Sequence, residues 1–249
     1  TAKLRGHSVV LLEASDKLGG NLIAASQHSF KEDMRMLNEW FQRELFKKGI
    51  EVIFNNKATV DVIRQLGADV VIEAVGSTPI NLKIPGCEHP KYASCMDVLV
   101  GGRKVGEKVT IVGGGLTGVE MAIEYSMEGK KVTIVEALPD ILSSGLPVPM
   151  MQDMMIRDLL KHYNVEVCAG YRISAINDEG AIVINMKDEK DVKVIPAETV
   201  VIAVGFRPRV SIADDLLAEG FEVHTIGDAN RVGNVLTSIW DAYDVARDL

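Results

Sequence analysis

The chain has 249 residues, and its 47% hydrophobic and 25% charged side chains are typical of a globular protein and exclude disorder over most of its length. Its 27 Lys and Arg against 35 Asp and Glu give a net charge of −8, which argues against a nucleic-acid-binding protein and against a polybasic membrane-surface protein. No uncharged apolar stretch approaches about 18 residues, so no membrane span is predicted.

The first third of the chain alternates between strand-like and helix-like patterns. An apolar strand ends at Glu13. Apolar side chains recur at helical spacing over Phe30–Leu45 and predict a long amphipathic helix that ends at Gly49. A second apolar strand begins at Val70, and the proline-containing segment Pro79–Gly102 is predicted to be a connector.

The remainder of the chain continues the alternation. Met151, Met154 and Met155 lie at helical spacing, which predicts that they belong to a core. The predicted elements are, in chain order, a strand at Lys108–Val112, a helix at Thr117–Glu128, a strand at Lys131–Val135, a helix at Met150–Tyr163, a hairpin within Tyr171–Ile184, a strand from Phe221, and a helix from about Val235.

Two stretches recur in the same order about 125 residues apart, which indicates an internal repeat. Gly6–Ala14 matches Gly129–Ala137, and Val70–Pro79 matches Val200–Pro208. Because strands alternate with helices in both copies, each copy is predicted to form a parallel sheet that is covered on both faces.

A glycine-rich loop carries the clearest cofactor signal. Gly113, Gly115 and Gly118 fit G-x-G-x-x-G between a strand and a helix. The first glycine permits a tight turn, the second the approach of a pyrophosphate, and the third close helix–strand packing. The N–H groups of Leu116 and Thr117, at the start of the helix, would bind the phosphates. A glycine turn without a ligand is the alternative.

Glu136 ends the strand that follows this helix. A carboxylate at that position accepts hydrogen bonds from the ribose of adenosine, and its charge would repel a 2′-phosphate. Ala137, Leu138 and Pro139 provide no cation to hold such a phosphate. The site is therefore predicted to bind NAD(H) rather than NADP(H), and a solvated glutamate at a strand end is the alternative.

Glu13 is the counterpart of Glu136 in the first copy and indicates a second dinucleotide. Because paired dinucleotide-binding domains commonly hold a pyridine nucleotide and FAD, we expect FAD here. Gly19 and Gly20, followed by Asn21, would let the backbone approach the flavin nucleotide. A glycine loop without a ligand is the alternative.

Gly227 and Asp228 follow the last apolar strand. An aspartate there could accept a hydrogen bond from a ribitol hydroxyl. The N–H groups near Leu236 and Thr237, where the last helix begins, could face the pyrimidine edge of the flavin. A turn aspartate or a helix cap is the alternative.

The cysteines are few and unpaired in sequence. Cys87, Cys95 and Cys168 form no C-x-x-C pair, and three thiols cannot build a four-cysteine zinc or iron–sulfur site. We therefore predict buried, inert cysteines and a reducing, cytoplasmic location. The five histidines have no metal-ligand or triad spacing, so no metal site is predicted.

The segments Leu12–Gly20 and His224–Asn230 resemble those of flavoproteins with two dinucleotide-binding domains. Within that group the resemblance is to the C-terminal half of the old-yellow-enzyme-like NADH:flavin oxidoreductases, which include 2,4-dienoyl-CoA reductase and 2-enoate reductase. The resemblance also covers two strand ends where cofactor contacts are expected. These contacts are Ala74, Gly76, Ala203 and Gly205.

The resemblance implies an NADH-dependent, FAD-linked oxidoreductase module that passes hydride from NADH to flavin as the electron-input half of a larger enzyme. It also implies an N-terminal TIM barrel of the same polypeptide that holds FMN and a [4Fe–4S] cluster. The alternative is a non-catalytic ADP-binding domain, as in the related trimethylamine dehydrogenase. No catalytic acid or base is assigned, because the cofactors carry the chemistry.

The expected fold class is α/β, with two Rossmann-like, three-layer dinucleotide-binding domains and the second domain inserted into the first. Residues 1–103 and 209–249 would form the FAD-binding domain, and residues 104–208 the NAD(H)-binding domain. The repeat places the first copy's glycine loop, and the central strand before it, upstream of Thr1. We therefore expect an incomplete FAD site in this chain and a native polypeptide that extends at least about fifteen residues further.

Overall fold

The chain divides into two compact units. The computed structural model describes all residues from Thr1 to Leu249. The first unit comprises residues 1–26, 31–78 and 207–249, and the second comprises residues 27–30 and 79–206. No helix of either unit combines the length and the apolar character that crossing a membrane requires.

Short strands and helices alternate along the chain. The strands are β1 (Val10–Leu12), β2 (Glu51–Ile53), β3 (Val70–Glu73), β4 (Ser77–Pro79), β5 (Tyr92–Ser94), β6 (Lys108–Val112), β7 (Lys131–Glu136), β8 (Glu166–Ala169), β9 (Tyr171–Ile176), β10 (Gly180–Asn185), β11 (Val192–Pro196), β12 (Thr199–Ile202), β13 (Phe206–Pro208) and β14 (Glu222–Thr225). The helices are α1 (Asn21–Ala25), α2 (Glu32–Lys47), α3 (Val60–Leu66), α4 (Cys95–Leu99), α5 (Leu116–Met127), α6 (Met150–His162), α7 (Ala213–Ala218) and α8 (Val235–Asp248). Two 3₁₀ turns lie at Ala2–Arg5 and Gly227–Ala229.

The second unit is built on a five-stranded parallel sheet with the strand order β5-β12-β6-β7-β8. A three-stranded antiparallel sheet of order β11-β10-β9 accompanies it. The register of the central strands sets Ile111 of β6 opposite Ile134 of β7, and both side chains are fully buried.

Alternate side chains of the parallel sheet fill two separate cores, as the period of two in a strand requires. On one face, Val109 and Ile111 pack with buried side chains of α5 and α6 such as Met121. On the other face, Val112 and Val135 pack with side chains of the antiparallel sheet. The second unit therefore has three layers, as the sequence predicts.

The first unit contains two separate pairs of parallel strands. β1 pairs with β2, and β3 pairs with β14. These strands are less buried than those of the second unit, since Val10 remains 41% exposed and Ile72 36% exposed. The long helix α2, which the apolar pattern predicts, has no fully buried residue.

Several predicted elements coincide with the observed ones. The predicted strand at Lys108–Val112 has the bounds of β6, the predicted helix from Thr117 begins one residue earlier, and the last helix begins at Val235. The predicted hairpin is also present, with Asn177 and Gly180 exchanging backbone hydrogen bonds at its turn.

The methionines of α6 differ from their prediction as core residues. Met151 is 70% exposed, and Met154 and Met155 are each 53% exposed. Ile156 and Leu160 are the buried residues of this helix. The helix contacts the core through one narrow stripe, and the methionines lie outside that stripe.

The boundary between the units also differs from the expected one. The second unit begins again at Pro79, whereas the sequence placed its start at residue 104. The reason is β5, which pairs in parallel with β12 and so makes the connector the edge strand of the second unit's sheet.

Candidate functional site

The glycine loop of the second unit joins the end of β6 to the start of α5. Gly113 has a φ of +112°, a conformation that favours glycine, and its N–H donates to the carbonyl oxygen of Val135 at 2.8 Å. A Cβ on Gly118 would lie 1.9 Å from the carbonyl oxygen of Gly113. Helix α5 can therefore approach the loop this closely only with glycine at position 118.

Gly115 differs from the other glycines of this loop because it has space around it. A Cβ placed on Gly115 would meet only the Ser144 hydroxyl, at 3.7 Å. Gly115 is the N-cap residue of α5, and no side chain caps this helix. The N–H groups of the first turn, including those of Leu116 and Thr117, thus lack intrahelical acceptors. This arrangement fits a bound pyrophosphate.

Glu136 is 8% exposed at the end of β7, and its carboxylate is hydrogen-bonded to backbone on both sides. Oε2 accepts from the N–H of Gly114 at 2.6 Å, and Oε1 accepts from the N–H of Leu138 at 2.7 Å. An ionised carboxylate has about four lone-pair positions, so further hydrogen bonds from a ribose remain available. The structure therefore attaches the predicted ribose-binding carboxylate directly to the glycine loop.

The loop that follows Glu136 is hydrogen-bonded to Gly114. Leu142 donates its N–H to the carbonyl oxygen of Gly114 at 2.8 Å. Arg157 of α6 donates to both carboxylate oxygens of Asp140 at 3.0 Å and also to Asp153. The guanidinium of Arg157 holds the pKa of Asp140 below its ordinary value. Arg157 is not among the residues predicted from the sequence, although its i, i+4 spacing from Asp153 is typical of an ion pair on a helix.

The end of β12 lies beside the same loop. The N–H of Ala203 donates to the carbonyl oxygen of Val112 at 2.7 Å, and a Cβ on Gly113 would lie 2.3 Å from the carbonyl oxygen of Ala203. Gly205 has a φ of +100°. The structure thus brings Gly113–Gly118, Glu136 and Ala203 together at one edge of the second unit's sheet.

In the first unit, Glu13 follows β1, and its carboxylate accepts hydrogen bonds from the N–H and the hydroxyl of Ser15, both at 2.8 Å. Gly19 has a φ of +126°, and a Cβ there would lie 2.6 Å from the side chain of Asn38. Gly20 has a φ of +50° and open space around it. Open backbone at Gly20 fits the close approach of a nucleotide.

Asn21 and Asp228 are joined through Ser77, which is not among the predicted site residues. The side-chain amide of Asn21 donates to Ser77, whose hydroxyl donates to Asp228. Asp228 follows Gly227, whose N–H donates to Asp241 at 3.1 Å. Ala74 and Gly76 lie after β3 in the same unit, and Gly76 accepts from the N–H of Arg209.

The first turn of α8 is capped by its own side chains. The N–H of Thr237 donates to the side chain of Asn234 at 3.0 Å, and the hydroxyl of Thr237 accepts from the N–H of Asn234. This capping box occupies the N–H that was expected to face a flavin, whereas Leu236, which is 52% exposed, makes no such bond. The spacing of Asn234 and Thr237 was the signal for the cap.

All three cysteines are free, but only Cys95 is buried, whereas Cys87 and Cys168 are partly exposed, so the prediction of buried cysteines is correct for Cys95 alone. Burial raises the pKa of the Cys95 thiol to about 11, and burial also raises the pKa of Cys168. Both groups are therefore protonated at neutral pH and are poor nucleophiles.

Residues 58–246 match the family model described as pyridine nucleotide-disulphide oxidoreductase, and the chain belongs to this family. It is 39% identical over 248 residues to a cinnamate reductase of Clostridium sporogenes, covering 100% of this chain and 36% of that protein. It is 34% identical over 253 residues to an NADH oxidase of Thermoanaerobacter brockii, covering 99% of this chain and 38% of that protein.

A solved structure of 2-naphthoyl-CoA reductase in complex with 2-naphthoyl-CoA superimposes with a TM-score of 0.89 at 28% identity, covering 100% of this chain and 37% of that one. The predicted α/β fold class and the resemblance to the enoate-reductase-like flavoproteins are confirmed. The chain spans little more than a third of the length of these relatives.

Proposed function

We propose that this chain is the electron-input part of a larger FAD-dependent reductase, in which it binds NADH and directs hydride to a flavin. The observation that carries the proposal is the second unit's loop, where Gly115 leaves open space and Glu136 is bonded to the backbone of Gly114. Membership of a pyridine-nucleotide oxidoreductase family supports the same reading.

The selection of NADH over NADPH rests on charge. Glu136 places a carboxylate where the ribose 2′ position is expected, and a 2′-phosphate would meet this charge in a mostly buried setting. The cation near this loop, Arg157, is already paired with Asp140 and Asp153. Arg157 is therefore not free to compensate a phosphate.

The first unit supplies the residues proposed for FAD. Glu13 would accept a ribose hydroxyl, Gly20 would admit the pyrophosphate, and Asp228 would accept a ribitol hydroxyl. When bound, FAD accepts hydride from NADH and passes electrons onward. The chain's own residues bind and orient the two cofactors and supply no acid or base.

The two strand pairs of the first unit leave open strand edges, at β1 and in the β3–β14 pair. Unpaired edges expose backbone N–H and C=O groups that a further parallel strand would satisfy. We propose that such a strand, and the glycine loop after it, complete the FAD-binding domain in the native polypeptide. The same polypeptide would contain the barrel with FMN and [4Fe–4S], in keeping with the longer relatives.

The test uses the complete protein, to which FAD is added before anaerobic titration with NADH. A bound-flavin absorbance band that NADH bleaches supports the proposal. Binding of NADH without any FAD binding would instead indicate a nucleotide-binding domain without redox chemistry. Binding of neither cofactor would reject both functions.

A further inference from the structure

Three side chains of the first unit form one continuous hydrogen-bonded chain around Ser77 of β4. The Nδ2 of Asn21 donates to the hydroxyl of Ser77 at 3.0 Å and to the Ser77 carbonyl oxygen at 3.2 Å. The Ser77 hydroxyl donates to Oδ2 of Asp228 at 2.7 Å. Ser77 is only 1% exposed, so water does not compete for its hydroxyl.

The direction of this chain is fixed by chemistry. A side-chain amide nitrogen is a donor only, so the hydroxyl oxygen of Ser77 must accept from Asn21. The hydroxyl proton is then directed to Asp228, whose ionised carboxylate is an acceptor only. A hydroxyl-to-carboxylate hydrogen bond of this kind is stronger than one between neutral groups.

The carboxylate of Asp228 is held from two sides. Oδ2 accepts from Ser77, and Oδ1 accepts from the N–H of Gly233 at 2.9 Å. These bonds fix the plane of the carboxylate and direct its remaining lone pairs. Asn21 begins α1 directly after Gly20. These hydrogen bonds therefore link the Gly19–Gly20 turn to the turn that carries Asp228.

We propose that Ser77 is a positioning residue for FAD. It orients Asp228 toward a ribitol hydroxyl. Through Asn21 it also holds the Gly20 backbone at a fixed position relative to that aspartate. This inference rests on the proposed function, since it concerns the same flavin site. It assigns Asn21 a supporting part through Ser77 rather than a direct cofactor contact.

The test measures the FAD dissociation constant of the complete protein for the wild type, Ser77→Ala, Asp228→Ala and the double variant. Loss of one hydroxyl-to-carboxylate bond should weaken FAD binding about tenfold in Ser77→Ala. Since Ser77 acts through Asp228, the double variant should bind FAD no more weakly than Asp228→Ala alone. Ser77→Thr, which retains a hydroxyl, should restore most of the affinity.

Ser77→Ala is expected to fold, because Asn21 keeps the carbonyl oxygen of residue 77 as an acceptor. If Ser77→Ala does not fold, Ser77→Cys replaces it, since a thiol is a weak donor of similar size and should also weaken FAD binding.

Ser211→Ala is the matched control. The Ser211 hydroxyl donates to Glu73 in the same unit at 2.6 Å and has no link to Asp228. This control should bind FAD like the wild type.

Unchanged FAD affinity in Ser77→Ala would overturn the inference and leave the proposed function standing. Additive losses in the double variant would also overturn it, because they show that Ser77 acts independently of Asp228. An equal loss in Ser211→Ala would overturn it too, because it indicates a general effect on folding. A wild-type protein that binds no FAD would overturn the proposed function and this inference with it.

Discussion

The two units use the same pattern of strands and helices but differ in how far they bury it. In the second unit, Ile111 and Ile134 lie in a five-stranded sheet with a core on each face. In the first unit, Val10 and Ile72 belong to separate strand pairs and remain more than a third exposed. The difference shows that a repeated sequence pattern predicts the type of element, whereas burial depends on which strands are neighbours.

This contrast should appear most strongly in amide hydrogen exchange. The amides of β6 and β7 are expected to exchange at least about a hundredfold more slowly than those of β1 and β3, because opening the buried sheet costs much more free energy. Exchange followed by mass spectrometry or NMR tests this. Equal protection in the two pairs of strands would show that the first unit is as stable as the second.

The fold of the second unit should depend on Gly118. In Gly118→Ala the new Cβ would meet the Gly113 carbonyl oxygen at 1.9 Å, so strand and helix must separate. The free energy of unfolding should fall by about 3 kcal/mol or more. Urea unfolding measures this loss, and a stability within 1 kcal/mol (about the error of such a comparison) would contradict the packing role.

Gly115→Ala is the matched substitution three residues earlier. The added methyl group has room, with only Ser144 within reach, so stability should fall by about 1 kcal/mol at most, the usual cost of alanine in place of glycine at an N-cap. NADH affinity should fall about tenfold or more, because the methyl group would occupy the space left for the pyrophosphate. Calorimetric titration with NADH checks this outcome; wild-type affinity would place the phosphates elsewhere.

The smallest effect is expected at Arg157. This residue lowers the pKa of Asp140, so their pairing stabilises the folded state above the ordinary carboxyl pKa of 3.8 and is lost as the pH falls through the lowered value. Asp140 is 57% exposed, so screening should limit the loss in Arg157→Ala to about 1 kcal/mol at neutral pH.

Unfolding of the wild type and Arg157→Ala, measured between neutral and acidic pH, should therefore show a stability difference that shrinks in acid. Arg172→Ala, which loses an exposed pair with Glu189 in the same unit, is the control. A difference that is constant with pH would show that Arg157 acts through packing alone.

The sequence could predict those candidate site residues that lie close to one another along the chain. The strand Lys108–Val112, the glycines after it and Glu136 form one local unit, and an uninterrupted buried strand has a distinct apolar pattern. The sequence did not distinguish the exposed methionines of α6 from core residues, because their spacing is also typical of a core. At Thr237 the sequence left a helix cap open as the alternative, and the structure contains that cap.

Contacts between distant residues could not be predicted in this way. Ser77 is hydrogen-bonded to Asp228, which lies 151 residues further along the sequence. Glu73 accepts hydrogen bonds from Ser211 and Thr225, which are separated from it by 138 and 152 residues. Such pairs depend on which strands lie side by side. A single sequence shows that order only where a repeat or a known family pattern exists.

We propose that Glu136 makes NADH, rather than NADPH, the hydride donor to the flavin. The most direct test is anaerobic bleaching of the FAD-loaded complete protein by NADH and by NADPH, in the wild type and in Glu136→Ala. Wild-type protein should be bleached at about tenfold or more lower concentrations of NADH than of NADPH, and this difference should narrow in the variant. A wild type that prefers NADPH, or a difference that Glu136→Ala leaves unchanged, would show that Glu136 does not select the cofactor.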